Sequence, residues 1–133
     1  MGVGEPTDLV ESVARGVDCF DSRFPTMNAR HGTIMTSNGR LMVKNKEFRY
    51  DESPMDDKCS CFVCKNYSRS YIPHMFRHNE AVGFRLATYH NLHFLRQLMK
   101  DIRLAIVEER FDKFRKDFTS RYKSPERGEF AYK

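Results

Sequence analysis

A chain of 133 residues is enough for one ordinary domain and a modest core, and 40% hydrophobic with 31% charged residues describes a globular chain with a wet surface. No apolar run approaches the roughly 20 residues that span a bilayer, so a membrane partner is not expected. The formal net charge of +5 and sequence pI near 9.1 suit an anionic partner such as nucleic acid, but the cations are spread among acids without a basic block, so charge alone does not establish one.

From the N-terminus, Met1-Gly2-Val3-Gly4-Glu5 has neither the basic nor the apolar region of a secretory leader. Pro6-Thr7-Asp8 opens a helix, because proline and an acid suit first-turn positions whose N–H groups lack intrahelical partners. Leu9, Val10, Val13 and Ala14 form its apolar face, and Gly16 is placed for a left-handed stop. Val17-Asp18-Cys19-Phe20 reads as a buried strand, giving one α-then-β step of a parallel α/β sheet. Asp21 follows at that strand's C-terminal end, where α/β barrels carry their chemistry. An acid there, ahead of Ser22-Arg23-Phe24-Pro25-Thr26, is a candidate catalytic or base-reading group. The competing reading is a turn aspartate bonding its own backbone.

Residues 32–43 alternate and break at Ser37-Asn38-Gly39, which predicts a hairpin. Residues 44–58 are polar, contain Pro54 and show no periodicity, as expected of a loop. A short helix is expected over 68–78, capped by Ser68; Pro73 inside it requires either a start near Tyr71 or a kink. The apolar series Leu92, Leu95, Leu98/Met99, Ile102 and Ala105/Ile106 predicts a longer helix from near His90 to about Val107. Phe111, Phe114 and Phe118 continue at helical spacing as core rather than as a base-stacking platform. From Ser124, with Pro125 and Gly128, a frayed tail is expected.

Three of the four cysteines fall in Cys59-Ser60-Cys61-Phe62-Val63-Cys64. Thiols three residues apart can both reach one small ion at about 2.3 Å, and a Cys-x-Cys pair adds a third sulfur. Buried cysteines usually sit among apolar neighbours, so three in a charged segment are poor core material, and the spacing predicts one structural zinc ion. The fourth ligand is open on spacing alone among His74, His78, His90 and His93. Clustered cysteines with one spare, Cys19, fit a reducing compartment, and the cytoplasm is the expected location.

Met1 to Pro6, Phe20-Asp21 with Pro25-Thr26, Asn28-Ala29-Arg30-His31-Gly32, the three clustered cysteines and Thr88-Tyr89-His90-Asn91 together resemble the C-terminal third of the tRNA-guanine transglycosylases, the queuine tRNA-ribosyltransferases. The resemblance runs in continuous register over about residues 1–122 and is closer to bacterial than to eukaryotic members. It implies an α/β fold: the C-terminal part of a (β/α)8 barrel with a zinc-binding subdomain. The implied reaction, in queuosine biosynthesis, exchanges the wobble guanine of tRNA for a 7-deazaguanine. By match, Asp21 is the nucleophile, Met1 and Gly2 line the base pocket, and Gly2, Val3, Gly4, Glu5, Pro6, Thr7 and Asp8 hold RNA together with Thr26, Met27, Asn28, Ala29 and Arg30. Cys59, Cys61, Cys64 and His90 match the zinc ligands.

The implied divisions are 1–31 with the nucleophile loop, 32–90 with the hairpin and zinc subdomain, 91–123 with C-terminal helices, and 124–133 as tail. Bacterial members of the family are homodimers. This chain departs from the pattern at Ser22, where cysteine is usual, at Met27, where arginine is usual, and at Pro73. A complete barrel of this kind takes about 250 residues, so the chain is expected to be a fragment, a truncated reading frame or half of a split gene. A non-catalytic, zinc-stapled RNA-binding or dimerisation module is the alternative expectation.

Overall fold

The computed structural model describes residues 1–123; the tail expected from Ser124 onward lies outside them. Helix α1 (Pro6–Val13) starts at the predicted proline, buries Pro6, Leu9 and Val10, and is followed by Gly16 at φ +87°, the left-handed stop that only glycine adopts without strain. The strand expected over 17–20 does not form: Val17, Asp18 and Cys19 are exposed and in no sheet. A parallel strand needs hydrogen-bonding neighbours, and among the described residues the only sheet is the hairpin further on.

Helix α2 (Phe24–Arg30) has Pro25 in its first turn and buries Asn28 and Ala29. Strands β1 (Thr33–Thr36) and β2 (Gly39–Met42) pair antiparallel, with Thr36 opposite Gly39 and Met35 opposite Arg40. The two-residue turn is therefore Ser37-Asn38, and Gly39 already belongs to β2. The segment expected as plain loop contains a 3-10 turn at Lys46–Tyr50. Tertiary contacts rather than periodicity hold it: Arg69 pairs with Asp51 at 3.0 Å and lies over the Phe48 ring.

Helix α3 (Phe62–Asn66) follows Cys61, and α4 (Tyr71–Arg77) begins at Tyr71, whose N–H donates to the Ser68 hydroxyl. Pro73 thus falls in the first turn, where its missing N–H leaves no helical bond unmade, and no kink is required. Helix α5 is Ala81–Val107, starting nine residues before the expected point, so His90 sits inside the helix and not at its mouth. The residues ahead of His90 bury Gly83, Leu86 and Ala87 against the first core cluster, a tertiary reward that the downstream leucine series does not reveal. Glu109 at φ +55° separates α5 from α6 (Phe111–Arg121).

At about 1.5 Å per residue, α5 is roughly 40 Å long and serves two cores. Its N-terminal half contributes Leu86 and Ala87 to a cluster with Ala29, Ile34, Val43, Met55, Val63, Ile72 and Phe76. Its C-terminal half contributes Leu98 and Ile102 to a second cluster with Leu9, Val10, Phe118 and Tyr122. Phe118 is buried there, with Phe111 and Phe114 packed against it, as the core reading expects. Each fully buried aliphatic or aromatic side chain contributes about 1.5–3 kcal/mol. No helix among the described residues is long and apolar enough to cross a membrane.

A fork of hydrogen bonds closes the second core. Arg115 donates from Nε and Nη2 to the two carboxylate oxygens of Glu11, each at 2.7 Å, and Arg15 adds a third at 2.8 Å. Arg115 first, then Arg15, holds the Glu11 carboxyl down at about 2 against an ordinary 4.5. Ionised Glu11 therefore contributes its full stabilisation above pH 4.5 and loses it as pH falls towards 2. Thermal unfolding of Glu11→Gln should be lower than wild type at pH 7, and the gap should close over that window. A gap that stays constant with pH would remove the fork from the acid sensitivity of the fold.

Candidate functional site

The metal-spaced cysteines come together because α3 begins on one of them. Cys61 is the N-cap residue: its backbone is extended, at φ −68° and ψ 162°, and its sulfur accepts the Cys64 N–H at 3.4 Å. The turn this creates folds Cys64 back toward Cys61, while Cys59 approaches from the extended chain before it. His90 projects from α5 into the same space. Its Nδ1 lies 3.9, 3.5 and 3.3 Å from the sulfurs of Cys59, Cys61 and Cys64, and the four ligand atoms lie within 4.8 Å of one another. A tetrahedral ion with bonds of about 2.0–2.3 Å separates its ligands by comparable distances. His74 stands exposed on α4 and His78 exposed at its C-terminal cap, and His93 lies one turn further along α5, all outside the cluster.

The imidazole is oriented for this task. Nε2 donates to the Met35 carbonyl at 2.8 Å, and a carbonyl can only accept, so the other nitrogen faces the sulfurs with its lone pair free for a proton or a metal. Burial works to lower His90, yet the sulfurs of Cys59 and Cys61 and the Met35 carbonyl push it up to about 10. Hydrogen bonds from Cys59 and Cys64 hold the Cys61 thiol far below the usual range, and Cys59 and Cys61 push Cys64 up. The cluster favours positive charge at its centre. Three sulfurs and one imidazole are the donor set of a closed tetrahedral zinc site, and the geometry fits such an ion.

Asn91, next in sequence, is fully buried and makes three hydrogen bonds. Its side-chain oxygen accepts the Met35 N–H at 2.9 Å, while its amide donates to the carbonyls of Thr33 at 2.9 Å and Pro25 at 3.1 Å. Sequence reasoning assigned it nothing beyond the motif. Its position one helical turn after Ala87 and two before Leu98, on the buried stripe of α5, is the signal that would have found it.

Of the remaining predicted residues, Gly2 is the one brought onto Asp21. The Gly2 N–H donates to the Asp21 carbonyl at 2.7 Å, so the segment starting at Met1 lies directly on the Asp21 loop. The Ser22 hydroxyl donates to the Gly2 carbonyl at 3.2 Å and accepts the Phe24 N–H at 3.1 Å, binding the two segments again. Gly4 is needed at the crossing: a Cβ there would lie 2.5 Å from Phe24 Cβ and 2.6 Å from the Ser22 oxygen. The Asp21 residue itself is exposed, as are Met1, Gly2, Asp8 and Arg30. Val3, Glu5, Thr7, Thr26 and Met27 are half-buried, and Gly4, Pro6, Asn28 and Ala29 are buried. Asn28 donates to the Phe24 carbonyl and Thr26 to the Arg23 carbonyl, so both side chains also brace α2.

A family model described as Queuine tRNA-ribosyltransferase matches residues 1–124. The Queuine tRNA-ribosyltransferases of Listeria welshimeri and Oceanobacillus iheyensis are each 55% identical over 122 residues, which is 92% of this chain and 32% of each relative. That of Fusobacterium nucleatum is 51% identical over 122 residues, 92% of this chain and 33% of its own. The chain spans about a third of the length of these curated relatives.

Purified protein should carry close to one equivalent of zinc, and Cys61→Ser should carry almost none, with loss of much of the fold, since a structural ion of this kind supplies about 10–16 kcal/mol of apparent binding free energy. Protons compete for the same lone pairs, so metal release should accelerate as pH falls. Full zinc occupancy in His90→Ala would sink the ligand assignment.

Proposed function

The chain belongs to the queuine tRNA-ribosyltransferase family, and from that premise we propose that it is the nucleophile-and-zinc portion of a pentosyltransferase exchanging the wobble guanine of tRNA for a 7-deazaguanine in queuosine biosynthesis. The observation that carries this reading is the contact of Gly2 with Asp21, which sets the matched base-pocket residue against the matched nucleophile within a chain that fits the family from end to end of residues 1–124. The proposed surroundings are a (β/α)8 barrel, to which residues 1–31 contribute the nucleophile loop, residues 32–90 the zinc subdomain and residues 91–123 the C-terminal helices. A homodimer acting in the cytoplasm on soluble tRNA completes the proposal.

Asp21 is the proposed nucleophile. Its carboxylate attacks the anomeric carbon of the target nucleotide, the bond from that carbon to guanine N9 breaks, and guanine leaves after taking up a proton. The glycosyl ester that results is then cleaved when the incoming deazaguanine attacks the same carbon with loss of its own proton, restoring the carboxylate. Met1 and Gly2 line the base, and the stretches Gly2–Asp8 and Thr26–Arg30 hold the flanking RNA, with Arg30 as its exposed cation. Met27, half-buried on α2, brings no charge for a phosphate. Cys59, Cys61, Cys64 and His90 would hold a zinc ion, which would supply folding energy to the subdomain; with four protein ligands it would keep no open position for activating water.

The exposure of Asp21 favours a second reading for a polypeptide of these 133 residues alone, a zinc-stapled RNA-binding or dimerisation module without exchange activity. A carboxylate open to water lacks the groups that must stabilise a leaving guanine, and each positioned acid or base contributes about 100- to 10,000-fold. The two readings separate by experiment. In a protein containing the whole barrel, wild type should form a covalent tRNA adduct, and Asp21→Asn should abolish it and lower exchange by about 10⁴-fold or more with zinc content unchanged. An adduct surviving Asp21→Asn would remove the nucleophile assignment. Arg30→Ala should weaken tRNA binding and reduce its salt slope by about one, because one fewer phosphate contact releases one fewer counterion; an unchanged slope would take Arg30 out of the interface.

A further inference from the structure

The two proposed RNA-holding stretches share a neighbour that neither supplies. Arg40, on β2, reaches Glu5 with Nη2 3.5 Å from Oε2, and the two side chains are only 13% and 14% exposed. The same guanidinium lies over the Phe24 ring, 5.7 Å from its centroid. Glu5 is the residue on which α1 begins, and Phe24 is the first residue of α2. A cation placed between a carboxylate and an aromatic face is attracted to both, and with little water nearby that attraction is weakly screened.

Arg40 is itself held from behind. Its N–H donates to the Lys123 carbonyl at 3.4 Å, the Lys123 N–H donates to the Asn38 carbonyl at 3.2 Å, and Arg121 Nε donates to the Ser37 carbonyl at 3.1 Å. Tyr122, between those anchors, is buried against Phe94 and Phe118. Burial first, and then the Glu5 charge, pushes its hydroxyl up, while Arg40 works to lower it. The end of α6 therefore fixes the hairpin, and the hairpin fixes Arg40.

We propose that Arg40 is a positioning residue: by holding Glu5 and covering Phe24 it sets the spacing between the loop that starts at Gly2 and helix α2, and so the shape of the tRNA site on either side of Asp21. This rests on the tRNA reading above. The guanidinium does not contact phosphate in this role, because its charge is committed to Glu5.

The test is hydrogen exchange on the zinc-loaded chain, comparing wild type with Arg40→Met and Arg40→Lys. In Arg40→Met, amides in both 2–8 and 24–30 should exchange about tenfold faster, while zinc content and protection around His90 stay at wild-type level. Arg40→Lys, which keeps a cation for Glu5, should recover much of the protection. Affinity for an anticodon stem-loop RNA should fall about three- to tenfold in Arg40→Met with the salt slope retained, since a paired, buried cation releases no counterion. Acceleration in only one stretch, or across the whole chain including α5, overturns the positioning role, as does a lowered salt slope. No affinity for the stem-loop in a protein containing the whole barrel removes the tRNA reading, and the exchange map then decides Arg40's coupling of the two stretches by itself.

Discussion

The backbone of Met35 is the point on which the rest of the structure depends. In the hairpin register Met35 faces Arg40 one pair in from a Thr36–Gly39 pair that closes a two-residue turn, so its N–H and carbonyl point away from β2. Both are taken by consecutive side chains of α5: His90 donates to the carbonyl and Asn91 accepts from the N–H. A helix thus covers a strand edge that would otherwise be left open. The same bond from His90 directs its other nitrogen to the three sulfurs. The backbone of one residue therefore aligns the hairpin, the long helix and the cysteine–histidine cluster, and a buried polar group left unpaired at any of these atoms would cost about 1–3 kcal/mol.

Asn91 extends the link to the proposed RNA-holding surface. Its amide reaches the Pro25 carbonyl in the first turn of α2, four residues after Asp21. The opposite edge of the hairpin is covered by Lys123, and from there Arg40 reaches Glu5 and Phe24. The two sides of the Asp21 loop are consequently braced from two directions, by α5 through Asn91 and by β2 through Arg40. The Cys59–Cys61–Cys64–His90 cluster belongs to the same frame, because His90 and Asn91 share the Met35 backbone.

Ser22 illustrates how a small departure from the family pattern acquires a role. Read as a sequence, a serine in place of cysteine beside the proposed nucleophile matters little. In the fold its hydroxyl is both donor and acceptor, joining Gly2 to Phe24 across the tight crossing at Gly4. A thiol donates and accepts more weakly. This contact requires two segments twenty residues apart to meet, and no local pattern announces that.

Chemistry governed by neighbours along the chain was determined by the sequence alone. The Cys61-x-x-Cys64 turn, the helix opening at Pro6, the stop at Gly16, the hairpin and the Phe111–Phe114–Phe118 stripe all follow from φ preferences, missing N–H groups and period, which act within a few residues. Resemblance added the choice of His90, which spacing left open among four histidines. Tertiary structure decided what depends on distant partners. It began α5 at Ala81, because Leu86 and Ala87 are rewarded by a core built from residues 29–76. It left Val17–Cys19 exposed and without strand structure, because a parallel strand is stable only beside another. And it brought His90 to the sulfurs and withheld His74 and His78, because a fourth ligand is set by the packing of α5 against β1 and not by its distance along the chain.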